Sequence, residues 1–123
     1  VREQLIKSID LKKNAFALSA VSYIDEADGS VDSAIKYAGE AFALDSGSYG
    51  LLKHYMALLN ANERFDEILR VYATLSEELR ENGRIKYYRI SALVGLGRID
   101  EAGEYIKKNY IAPAWMYFNM SDK

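Results

Sequence analysis

The chain has 123 residues, half of them hydrophobic and 28% charged, with 16 basic and 18 acidic side chains leaving a net charge of −2. That balance excludes a disordered polymer and a chain-wide field drawing nucleic acid or anionic lipid. The lack of cysteine excludes disulfides and thiolate chemistry, a single histidine leaves little room for a zinc centre or proton relay, and one proline with eight glycines argues against an all-β protein.

Taken in chain order, residues 1–12 place Leu5, Ile6 and Ile9 on one helical face, as an N-terminal cap or the remnant of a preceding unit does. A helical pattern follows through Leu18, Val21 and Ile24, then a turn at Gly29, then a second helical pattern through Ala34, Ile35, Ala38, Ala41 and Phe42. The same sequence of events recurs twice. Leu52, Tyr55, Leu58 and Leu59 precede Asn62-Glu63, and Ile68, Leu69, Tyr72 and Leu75 follow it. Tyr88, Ile90, Leu93 and Val94 precede Gly97, and Ile99, Ala102, Tyr105 and Ile106 follow it.

The segments Gly29-Ser30-Val31-Asp32, Glu63-Arg64-Phe65-Asp66 and Gly97-Arg98-Ile99-Asp100 align without gaps at a spacing of 34 residues. A fixed period of this length marks one helix–turn–helix unit per repeat. Gly29 and Gly97 suit a left-handed helix end, with Asn62-Glu63 taking the same place in the middle unit. The aspartate after each turn suits a helix start, where its side chain accepts from free backbone N–H groups and sits at the positive end of the dipole. Asn82-Gly83 reads as a stop after the second unit.

The run Ala34-Ile35-Lys36-Tyr37 leading to Ala41-Phe42-Ala43-Leu44-Asp45, together with Gly97 and Ala102, resembles the tetratricopeptide repeat. Ser46 stands where that family usually has proline, and Ile68 where it usually has alanine. The resemblance implies an all-α, right-handed α-solenoid of about three helix hairpins. The repeats fall at 15–48, 49–82 and 83–110, between the segment 1–12 and a C-terminal aromatic cap at 111–123. All of it forms one domain, and the opening on Val1 rather than methionine leaves open whether that domain stands alone or is a piece of a longer protein. A second resemblance covers residues 64–112, through Leu75-Ser76-Glu77-Glu78-Leu79-Arg80 and Tyr110-Ile111-Ala112-Pro113. It is to the C-terminal helical-repeat tails of large bacterial proteins with carbohydrate-active-like regions upstream.

Chemistry-bearing motifs are few. There is no G-x-S-x-G, glycine-rich phosphate loop or H-E-x-x-H. His54 reads as a structural or surface histidine with no indicated nucleophile or carboxylate partner. Asp25 to Asp32 briefly suggests a calcium loop. With Gly29 on that motif's glycine, Ile24 and Ile35 fall where two ligands belong, so helix termini explain the carboxylates. The expectation is a non-enzymatic chain without cofactor or metal.

In the tetratricopeptide stack the first helix of each unit lines a concave face. The resemblance therefore implies a groove formed by Phe16, Ser19, Tyr23, Lys53, Ala57, Asn60, Arg84, Tyr87 and Ser91. The family's clamp for a C-terminal carboxylate would fall on Ser19, Tyr23, His54, Arg84 and Tyr88. Only Arg84 keeps a suitable charge there, which disfavours chaperone-tail binding. Beyond Pro113, the residues Trp115, Tyr117 and Phe118 form either a cap on the last hairpin or a docking patch for a partner or a second copy.

The expected function is protein–protein interaction or scaffolding through the groove or the aromatic tail. The alternative is a structural appendage of a larger carbohydrate-active bacterial enzyme whose catalytic residues lie outside this chain. Residues 83–123 carry seven basic and four acidic side chains, too scattered for a phosphate-tracking stripe, so no nucleic-acid partner is expected. No apolar stretch is long enough for a membrane span, and the lack of cysteine and of a signal segment makes the cytoplasm the expected compartment.

Overall fold

The structure, a computed structural model, describes residues 2–3 and 14–109. It is all-α: among the described residues there are seven helices after residue 14 and no strand. They are α1 (Ala15–Ala27), α2 (Val31–Leu44), α3 (Tyr49–Ala61), α4 (Phe65–Thr74), α5 (Glu77–Arg80), α6 (Gly83–Gly95) and α7 (Ile99–Asn109). Sequence periodicity missed α5, a single turn whose N-cap is Ser76. Arg80 ties it back by donating to the carbonyls of Ala73 (2.7 Å) and of Tyr72 (3.2 Å), the latter shared with the Leu75 N–H at the end of α4.

Three features recur at the 34-residue spacing. The side chains of Asn14, Ser48 and Asn82 cap α1, α3 and α6 by accepting from backbone N–H groups two or three residues on. Gly29, Glu63 and Gly97 all take left-handed φ angles, of 81°, 57° and 77°. Each is followed by a Schellman closure: Ser30 N–H to Asp25 O, Arg64 N–H to Leu59 O and Arg98 N–H to Leu93 O, all at 2.8 Å. Val31, Phe65 and Ile99 then open α2, α4 and α7.

Two readings change. Asn82-Gly83 opens α6 rather than closing the helix before it, because the Asn82 side chain satisfies the free N–H groups of Arg84 and Ile85. Asp32, Asp66 and Asp100 are not caps; they sit in the first turn of their helices, where they oppose the dipole.

α1 packs on α2, α3 on α4 and α6 on α7, each pair joined by one of the three turns. Between these hairpins, α2 packs on α3, while α6 packs on both α3 and α4. A continuous apolar core runs through α2 to α6, with Leu52, Met56 and Leu59 of α3 at its centre and Ile68 and Ile85 beside them. In α6 the buried stripe is Ile85, Tyr88, Ala92 and Leu93, so Val94 points outward; Ile99 and Ile106 of α7 are exposed as well.

The end of α1 departs from its counterparts. Asp25 occupies the place that Leu59 and Leu93 hold in the later units, and it is just as buried. Its carboxylate accepts from Arg2 Nε at 2.7 Å and from the Ser33 hydroxyl. The hydrogen bond from Arg2 holds the carboxyl below its ordinary range, burial opposes this, and Ser33 reinforces it.

Candidate binding face

Eight of the nine groove candidates share 34-residue positions on the three helices that begin each unit, and Asn60 alone has no candidate counterpart. Phe16, Ser19 and Tyr23 are on α1; Lys53, Ala57 and Asn60 on α3; Arg84, Tyr87 and Ser91 on α6. Spaced i, i+3, i+7 on α1 and α6 and i, i+4, i+7 on α3, they give each helix one stripe, with Ala57 packed against the core. All nine are half-buried or exposed, and the aromatic members stand well out: Phe16 is 79% exposed, Tyr23 and Tyr87 each 55%. Large aromatic side chains left this far in water are the less usual outcome.

The structure brings some of these residues into direct register. Ser91 Oγ donates to Asn60 Oδ1 at 2.7 Å, joining α6 to α3. Tyr23 stacks on the His54 ring with centroids 3.8 Å apart, joining α1 to α3. Tyr49 was not among the candidates, yet both cations approach it. Lys53 Nζ lies 6.0 Å from its ring centre, and Tyr88, with a smaller contribution from Tyr49, holds the Arg84 guanidinium above its ordinary value. A shallow hollow of about 380 Å³ opens beside Arg84 and Tyr87. Neither Lys53 nor Arg84 is ion-paired with a carboxylate among the described residues. Phe16 and Ser19 extend the same register on α1 without a side-chain link to α3.

His54 does have a partner. It is 8% exposed, and its Nε2 lies 2.8 Å from Ser22 Oγ, which itself donates to the carbonyl of Ala34 at 2.7 Å. The serine's one proton is committed to that carbonyl, so the oxygen accepts and His54 Nε2 carries the hydrogen. A histidine activating a nucleophile needs the opposite polarity. With Ser22 fully buried, the pair ties the second unit to the first. Burial pushes the imidazole pKa down, and the Glu26 carboxylate opposes that shift.

Trp115, Tyr117 and Phe118 lie outside the described residues, as do residues 4–13. Among the described residues no three histidine, aspartate or glutamate side chains converge as a metal site, and no helix is long and apolar enough to cross a membrane. Compared with protein-family models and with curated proteins, the sequence matches none.

Proposed function

We propose that the three hairpins are successive turns of a right-handed solenoid of tetratricopeptide type, and that the α1–α3–α6 face holds an extended peptide of a protein partner. The chain then works as an interaction or scaffold module without covalent chemistry. The observation that carries the reading is the coincidence, on one helical register, of three exposed aromatic rings and two cations without carboxylate partners. Tyrosine offers large contact area at low conformational cost, and Lys53 and Arg84 select a segment bearing a carboxylate opposite Tyr49. Because helices hold the stripe, little reorganisation opposes binding.

Selection of a displayed random-peptide library on the chain tests this. Enriched sequences should carry an acidic residue beside aromatic or aliphatic ones, and Lys53→Ala and Tyr87→Ala should each weaken binding about tenfold, roughly the loss of one good contact. Both substitutions are at exposed sites, so far-ultraviolet circular dichroism and melting should not change. No enrichment, or binding indifferent to both substitutions, sinks the peptide reading and leaves the appendage alternative standing.

A further inference from the structure

The first unit differs from the other two at three places around one turn. Where they bury Leu59 and Leu93, it buries Asp25, at 1% exposure. Where they have Arg64 and Arg98 it has Ser30, and where Glu67 and Glu101 pair with those arginines it has Ser33. The backbone is the same in all three, down to the 2.8 Å closure of each turn. The later units thus join an arginine and a glutamate of their own at the surface. The first lacks both and sets a carboxylate inside instead.

Leucine at this place satisfies the fold in two units out of three. A buried carboxylate adds no stability over a well-packed apolar side chain, because desolvation offsets the attraction it gains. Left without a partner it is strongly destabilising, so what it contributes is selection of a partner. That partner is a guanidinium. Arg2 donates from Nε to Asp25 Oδ1 at 2.7 Å and from Nη2 to Oδ2 at 3.4 Å, a two-point fork that a lysine ammonium does not reproduce. The Ser33 hydroxyl donates to Oδ2 from α2 and fixes the carboxylate between the two helices. The Asp25 side chain is 2% exposed and that of Arg2 40%, so the guanidinium enters from the solvent side onto a carboxylate held within.

We propose that Asp25 and Ser33 form a guanidinium-binding site between α1 and α2, filled here by the chain's own Arg2 and open to a foreign arginine side chain once Arg2 is withdrawn. The ligand class is an arginine-bearing segment, and Arg2 is its competitor within the chain. The site does not rest on the peptide-binding reading, since none of the groove residues contributes to it.

The full chain carrying Arg2→Ala, with ethylguanidinium as the probe, tests this. The substitution strands a buried carboxylate and should lower the melting midpoint by about 5 °C. About 50 mM ethylguanidinium chloride should recover about 2 °C or more of that loss, as a ligand of the folded state, and the same concentration of ethylammonium chloride should recover none. The parent chain, its site already filled, should gain from neither salt. Arg2→Ala combined with Asp25→Leu, the residue of the later units, should stay helical and gain nothing from ethylguanidinium. An Arg2→Ala midpoint equal to the parent's overturns the proposal. So does recovery by both salts alike, by neither, or in the chain that lacks Asp25.

Discussion

At Glu63 a side chain bears a backbone conformation that its two counterparts meet with glycine. Gly29 and Gly97 have no atom within 4 Å of where a Cβ would sit, so what selects glycine there is φ alone and not crowding. Left-handed backbone costs an L-residue about 1–2 kcal/mol, and glycine's extra unfolded-state freedom returns about half of that. Glu63→Gly should therefore stabilise the chain by about 0.5–1 kcal/mol in urea titration, and Gly97→Ala should destabilise it by about 1 kcal/mol. Equal stability of all three chains would mean that the turn tolerates either conformation. A second residue-scale test concerns acid. Burial lowers the His54 pKa in the folded chain, so folding is opposed by protonation. The stability this residue contributes is intact above the unfolded value of about 6.5 and declines as pH falls below it. Asp25 is also depressed, chiefly by Arg2, and its contribution is held above about pH 4 and lost on further acidification. Stability measured between about pH 7.5 and about 5.5 should fall in the parent chain and stay flat in His54→Gln, which keeps an N–H for Ser22 but does not titrate. Parallel slopes in the two chains would show that other groups set the acid response.

Helices meet in this fold through pairs whose sizes complement each other, and α4 against α6 is the tightest case. A Cβ placed on Gly95 would lie 2.2 Å from the Phe65 ring, so the last turn of α6 is glycine because the first residue of α4 is phenylalanine. Gly95→Ala gains up to about 1 kcal/mol of helix propensity but forces the ring aside, an overpacking cost of about 1–3 kcal/mol. The net outcome should be lower stability, rescued when Phe65→Leu is added; a stabilised single variant would show that the ring moves freely. Hairpins of this kind were largely legible in the sequence, because Val31, Phe65 and Ile99 before an aspartate carry both the period and the turn. The caps were not, since Asn14, Ser48 and Asn82 satisfy the same N–H groups with different side chains, and Asn82-Gly83 equally spells a stop. The inward face of α6 was misjudged at Val94 because its apolar residues wrap around the helix and give periodicity little contrast. For the candidate face, the resemblance to the tetratricopeptide repeat, and not spacing, assigned the stripe. The links Ser22–His54 and Asn60–Ser91 cross between units, and only packed helices bring those residues within reach.

Across the whole molecule, contacts run from neighbour to neighbour, and that has a measurable consequence. α3 packs against α2, α4 and α6, holds Leu52, Met56 and Leu59 at essentially no exposure, and binds α1 through His54 and Ser22. α7 packs against α6 and contributes one buried side chain, Ala102. In a stack whose stability is a sum of unit and interface terms, opening costs least where one interface is broken and most where several are. Backbone amide exchange should accordingly be slowest in α3, intermediate in α6 and fastest in α7. Leu59→Ala, which empties the centre of the core, should cost about 3 kcal/mol and quicken exchange in α2, α4 and α6 together. A closed bundle behaves otherwise: each helix borders a shared core, and exchange from all of them converges on one global opening. Uniform protection from α1 to α7 would therefore count against the solenoid itself, and with it against the face that α1, α3 and α6 are proposed to share.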